Sequence, residues 1–167
     1  AEAGASLVLS DLNAERLLAL QAELGPQHTA VAGDLTTEEG REQLVAACRA
    51  QQAIDILINA AGMSDFSTLD ELSPQKLQLM MTINLMVPML MCQALTPMLR
   101  DRPAAVIVNF GSTFGAIGHP GFVTYCASKF GLRGFTEALR RELMDSEIKV
   151  LYLAPRATGL VSKFKSL

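Results

Sequence analysis

A phenol and an ammonium stand four residues apart in the segment Thr124-Tyr125-Cys126-Ala127-Ser128-Lys129, inside a stretch otherwise patterned as helix core. At i and i+4 of a helix, Tyr125 and Lys129 are stacked neighbours on one side. A cation beside a phenol stabilises the phenolate, so the pair predicts a Tyr125 pKa below its ordinary value near 10. Such a pair is a tunable acid and base, because proton transfer is fastest when the pKa approaches the working pH. A hydroxyl, Ser112, ends the apolar run Ala-Ala-Val-Ile-Val-Asn-Phe thirteen residues before Tyr125, and the glycine-rich connection Thr-Phe-Gly-Ala-Ile-Gly-His-Pro-Gly between them places it facing the phenol. Upstream, Asn84 is a polar residue inside a strongly apolar helix, where burial without partners is costly, so it has either a task or a backbone partner.

The elements that must hold these groups alternate. Apolar, β-branched runs at 6–11, 29–34, 54–62, 104–112 and 148–155 read as strands, and 13–24, 37–51, 73–99 and 123–144 carry apolar residues at helical spacing. Strand and helix in alternation, with strands apolar on both faces, predict an α/β fold: a doubly wound, mostly parallel, Rossmann-like sheet with helices on both faces. Residues 1–167 read as a single domain. In such sheets ligands bind beyond the C-terminal ends of the strands, which here carry Asp11, Asp34, the turn Asn59-Ala60-Ala61-Gly62, and Gly111-Ser112. In the last helix Val123, Cys126, Ala127, Phe130, Gly131, Gly134, Phe135, Ala138 and Leu139 follow the i, i+3, i+4 rule and predict the buried face, with Gly131 and Gly134 allowing another backbone to approach closely.

The formal net charge of −3 comes from interspersed acids and bases, which leaves no basic footprint for nucleic acid. The most apolar run, 85–95, is too short to span a bilayer and contains Pro88, so a soluble, cytoplasmic protein is expected. Cys48, Cys92 and Cys126 are odd in number and far apart, which fits reduced, buried thiols better than a disulfide framework or a zinc site.

Taken together, Asn59-Ala60-Ala61-Gly62, Asn84, Gly111-Ser112 and Tyr125-Cys126-Ala127-Ser128-Lys129 resemble, in order and spacing, the classical short-chain dehydrogenase/reductase family, over residues 1 to about 155. The resemblance implies hydride transfer between a nicotinamide dinucleotide and an alcohol or carbonyl. It makes Tyr125 the general acid/base, with Lys129 lowering its pKa and holding the nicotinamide ribose. Ser112 would hold the reacting oxygen, and Asn84 would anchor a water in a proton relay. Asp11 would meet the adenosine ribose hydroxyls, where a carboxylate repels a 2′-phosphate and favours NAD over NADP. Asp34 and Leu35 would border the adenine, Asn59, Ala60 and Gly62 would lie along the cofactor, and Pro155 would belong to the turn beside the nicotinamide, where Arg156 stands in place of the family's glycine. The resemblance also implies a homodimer or homotetramer. The helix over 74–99 is apolar nearly all round, and with the helix over 123–144 it would form a two-fold interface.

The family's first strand and its glycine-rich phosphate loop are not found before Asp11, and 159–167 do not resemble what normally follows the last strand. The run Gly111–Gly118 is no substitute, since His119-Pro120-Gly121 follows where a helix N-terminus is needed to receive a pyrophosphate. The expectation is therefore an incomplete domain from a longer product. The alternative is a truncated or non-catalytic dinucleotide-binding relative. A serine hydrolase is disfavoured, because Phe110 occupies the first glycine position of the Gly-x-Ser-x-Gly elbow around Ser112.

Overall fold

The computed structural model describes residues 4–51 and 53–155. Five short strands alternate with helices: β1 (Val8–Asp11), α1 (Ala14–Leu24), β2 (Thr29–Ala32), α2 (Glu38–Ala50), β3 (Ile56–Asn59), α3 (Pro74–Met81), α4 (Val87–Arg100), β4 (Ala105–Phe110), α5 (Val123–Glu142) and β5 (Ile148–Leu153). A π-helical turn, Thr82–Met86, joins α3 to α4, and a 3₁₀ turn, Thr113–Gly115, follows β4.

Local chemistry sets the helix starts. The side chains of Asn13, Thr37 and Ser73 each accept a backbone N–H from the first turn of α1, α2 and α3, satisfying donors that a helix start leaves free. All strand pairing is parallel, as expected, but it forms two sheets, β1–β2 and β3–β4–β5, with no ladder between β1 and β3. One apolar cluster serves both sheets. Leu44, Val45 and Cys48 of α2 meet Val87, Met91 and Leu95 of α4, with Val8, Val31 and Leu57 from three strands against them. A second cluster joins Cys92 and Leu99 of α4 to Ile107, Ile148 and Val150 of the larger sheet. Both clusters are buried mainly by apolar area removed from water.

The helix through residues 74–100 is continuous, 27 residues in all, and apolar enough by length and composition to cross a membrane. This revises the shorter run expected at 85–95. One side of it packs on α2, β3, β4 and α5, with Val87, Met91, Cys92, Leu95 and Leu99 in the two apolar clusters. All three cysteines are free and buried, and burial pushes the Cys92 thiol up to about 12.

The buried face of α5 is not the stripe the sequence predicts. Thr124, Ser128, Lys129, Leu132 and Thr136 turn inward with Cys126, whereas Val123 and Phe130 are 48% and 45% exposed and Ala127 is also exposed. The reason is that the sheet side of this helix is built from hydrogen bonds as much as from apolar contact. Phe135 and Leu139 alone of the expected stripe's larger residues pack partly on the core. Gly131 meets the side chain of Leu85, not a backbone, and a Cβ at Gly134 would stand in open space.

Candidate active site

Ser112 leaves β4 in extended backbone, and its Oγ accepts the Phe114 N–H at 3.2 Å, capping the 3₁₀ turn. α5 begins eleven residues later, after a left-handed Gly121 (φ 78°). Tyr125 and Lys129 occupy its first turns, with the Lys129 Nζ 5.8 Å from the centre of the Tyr125 ring. Lys129 is only 5% exposed, and its ammonium donates to the Phe110 carbonyl at 2.8 Å, tying α5 to the last residue of β4. The structure thus brings Ser112, Tyr125 and Lys129 together at the rim of the larger sheet.

The electrostatics differ from the simple pair argument. Burial of the phenol raises the Tyr125 pKa above its ordinary value. The nearby Ser112 hydroxyl partly offsets that rise, and Tyr152 and Cys126 add to it; Ser112 Oγ has its described hydrogen bond with Phe114, not with the phenol. Lys129 itself is pushed down to about 8 by burial. The expected lowering of Tyr125 by Lys129 is therefore corrected: taking each group out of water disfavours its charged form, and for the phenol that burial outweighs the offset from the Ser112 hydroxyl.

Asn84 is completely buried in the π-helical turn, and its side chain is saturated with protein partners. Oδ1 accepts the Met63 N–H at 2.8 Å, while Nδ2 donates to the Met63 carbonyl at 2.8 Å and to Ser128 Oγ at 3.0 Å. Ser128 in turn donates to the Tyr125 carbonyl at 2.7 Å. This chain fastens the turn after Gly62 to the turn of α5 that carries the phenol. Both amide protons are used on Met63 and Ser128, so the side chain ties two segments of the site together. A Cβ on Gly62 would lie 3.0 Å from Asn84 Oδ1 and 3.8 Å from Lys129 Nζ, which keeps that backbone close to the site.

The other expected positions divide. Asp11 is exposed at the end of β1, with Oδ1 accepting the Asn13 N–H at 2.8 Å, and the adjacent Ser10 Oγ is buried with no partner. Asp34 turns its Oδ1 onto Thr36, accepting from N–H at 2.9 Å and Oγ1 at 2.7 Å. Leu35 packs partly on the α2–α4 cluster, and its carbonyl accepts from Arg41. Ala60, Gly62 and Pro155 are exposed at strand ends, whereas Arg156 lies outside the described residues. The Asn59 side chain is a correction, because it points into the core. Nδ2 donates to Asn109 Oδ1 at 2.9 Å, and Asn109 passes the chain to Thr136 Oγ1 at 3.0 Å, linking β3, β4 and α5. Strand register sets the pairing, because the two asparagines are register partners at the ends of neighbouring strands.

Two features escaped the sequence reading. The rings of Phe114 and Phe122 stand 6.3 and 6.1 Å from Tyr125, with His119 stacked on Phe114 and Phe66 packed on Phe122, so one side of the phenol is an aromatic wall. The repeated phenylalanines in the glycine-rich connection were its signal. The second is Tyr152 on β5, hidden in a run that read only as strand.

Two outcomes follow from these contacts. Asn84→Ala strands the Met63 amide and carbonyl together with Ser128, and urea unfolding should show a loss of about 2–4 kcal/mol; a loss under 1 kcal/mol would contradict the three-partner role. Lys129 has a folded pKa below its unfolded value, so the folded protein binds fewer protons between about 8 and 10.5. Its burial penalty is full below pH 8 and is relieved as pH rises through that window. Relative to Lys129→Met, wild-type stability should therefore improve by up to about 3 kcal/mol from pH 7.5 to 10.5, measured by denaturant unfolding at each pH.

Comparison with known proteins finds the "short chain dehydrogenase" family model matching residues 1–164. A D-threitol dehydrogenase of Mycolicibacterium smegmatis is 35% identical over 156 residues, covering 91% of this chain and 60% of the relative. A 3-oxoacyl-[acyl-carrier-protein] reductase of Bos taurus is 30% identical, covering 93% and 66%. Among solved structures, a 3-ketoacyl-(acyl-carrier-protein) reductase from Brucella melitensis complexed with NADH has a TM-score of 0.87 at 27% identity, covering 93% of this chain and 67% of its own. A metagenomic short-chain oxidoreductase in complex with NADP gives 0.85 at 27%, covering 92% and 72%. The chain thus spans about 60% of the length of the first curated relatives it matches. With the Ser112, Tyr125 and Lys129 cluster at its sheet rim, this chain belongs to the short-chain dehydrogenase family of oxidoreductases.

Proposed function

We propose that the whole protein reduces a carbonyl compound to an alcohol, or runs the reverse oxidation, with a nicotinamide dinucleotide. The observation that carries this reading is the convergence of Tyr125, Ser112 and Lys129 at one strand end, with aromatic rings on the open side. A bound dinucleotide supplies the hydride that adds to the carbonyl carbon. The Tyr125 hydroxyl gives its proton to the carbonyl oxygen, so that one hydride and one proton complete the alcohol. Ser112 donates a hydrogen bond to that oxygen as negative charge develops, the moment at which a fixed donor is worth most. A phenol kept neutral by burial suits the reducing direction, since the proton is in place before the hydride arrives.

Lys129 lies beside the phenol at the rim, and its ammonium, bonded to Phe110 through one proton, has two more donors for a ribose hydroxyl. The residues present fit a dinucleotide at its two ends: exposed Asp11 beside the unpartnered Ser10 hydroxyl at one, and the Gly62 backbone near Lys129 at the other. The Asp11 carboxylate favours NAD, with NADP as the weaker cofactor. The aromatic wall favours a carbonyl with an apolar or aryl substituent over a polyol. A soluble cytoplasmic location and a homo-oligomer belong to the same reading. The second copy would cover the exposed Leu79, Met86, Val123 and Phe130 of the two long helices, which no other described element buries.

On the full-length product, Tyr125→Phe should lower kcat by at least about a hundredfold while leaving NADH binding within about threefold. The screen should pair NADH and NADPH with aryl, aliphatic and polyol substrates; turnover by the variant at wild-type rate would refute the acid/base role. Phe130→Glu should shift the protein from dimer to monomer in sedimentation velocity at micromolar concentration, and a wild-type monomer under those conditions would dismiss the interface.

A further inference from the structure

The chain has two tyrosines, and the proposed reaction uses one. The other, Tyr152, is the penultimate residue of β5, with its side chain half-buried. Its ring passes so close to Gly111 that a Cβ there would collide with the ring carbons and the hydroxyl, and a Cβ at Gly115 would collide with the hydroxyl. Glycine at both positions leaves the space that this one phenol fills. The hydroxyl accepts the Ser112 N–H at 3.2 Å and lies 3.3 Å from both the Ser112 and the Lys129 carbonyl oxygens. A phenol has a single proton, so its donation is shared between those two carbonyls.

The backbones it touches belong to the two residues whose side chains flank Tyr125. The geometry points to Tyr152 as a positioning residue, whose hydroxyl pins the Ser112 turn after β4 and the Lys129 turn of α5 at one fixed separation beneath Tyr125. This rests on the acid/base reading of Tyr125 given above. A ring serving only as filler would need no hydroxyl here, yet this hydroxyl has three backbone partners on two different elements. Burial raises the Tyr152 pKa, while the Ser112 N–H at its oxygen and, less strongly, Arg133 of α5 act the other way. The titratable groups around it, all on α5, are Tyr125, Lys129, Arg133, Glu137 and Arg140, the last donating to the neighbouring Val150 carbonyl.

Tyr152→Phe keeps the ring and removes the hydroxyl. Expected on the full-length protein is a kcat lower by about tenfold, with the KM for substrate and the binding of NADH changed less than about twofold. The readout that needs no turnover is hydrogen exchange at the Ser112 amide, protected in the wild type and faster by about tenfold or more in the variant. Wild-type kcat together with unchanged Ser112 exchange in Tyr152→Phe overturns the assignment. If the wild type itself proves inactive, the oxidoreductase reading fails and the exchange measurement still decides the role of Tyr152. Should Tyr152→Phe not fold, one measurement remains: a wild-type Ser112 amide exchanging at unprotected rates refutes the contact.

Discussion

An almost fully buried ammonium held by one carbonyl is the constraint on which the rest of this structure turns. Lys129 loses most of its hydration, and a bare charge in that position would be expelled or neutralised. The bond to Phe110 keeps it in place, but at the price of fixing α5 against the end of β4. That attachment brings the first turn of α5 over Ser112, and it explains why the inward face of the helix is polar. Ser128 and Thr136 continue the same logic one residue before and two turns after Lys129, each tied to an asparagine of another element. The site is therefore not a set of side chains laid upon an apolar scaffold. It is the polar part of the packing between β3, β4 and α5, and the mobility of the phenol is limited by the same bonds that hold the domain together.

The order of strands and helices was legible because three of the helices carry their own start signal, with Asn13, Thr37 and Ser73 capping where the pattern begins, and the strands carry apolar, β-branched runs. The cluster Ser112, Tyr125 and Lys129 was legible too, since topology brings strand ends to one edge. What could not be read were quantities set by partners distant in sequence. The direction of the Tyr125 shift depends on desolvation by the surrounding packing, beside Phe114, Phe122 and Tyr152, not on its neighbour at i+4. The inward turn of Asn59 depends on Asn109, fifty residues away. Tyr152 read as an ordinary strand aromatic because its two glycine neighbours lie on another element.

The divided sheet follows from the same distinction between local and distant terms. A parallel strand is normally buried on both faces, and β3 is not: Leu57 packs on the α4 clusters, while Ile56 and Ile58 on the opposite face are 56% and 57% exposed. α1 contacts β1 and β2, and α5 contacts β5, so the described helices on that side leave β3 uncovered. Local pattern was enough to form the strand. Closing its outer face and joining β1 to β3 requires material that neither element provides, which is consistent with relatives substantially longer than this chain.

The misread face of α5 has a physical consequence for assembly. An apolar stripe at helical spacing ordinarily marks the core side, and here part of it points outward because hydrogen bonds occupy the other side. Burying roughly half of Val123 and Phe130 against a second copy removes apolar area from water without disturbing a single bond of the site. In the proposed assembly a second copy would also restrain the helix from the side opposite Lys129, holding the phenol between an internal polar attachment and an external apolar one. Association and the proposed catalysis would then be coupled through one rigid element, with no contact between the partner and the reacting groups. The helix would transmit it because Lys129 faces inward from the same turns that carry Val123 and Phe130 outward.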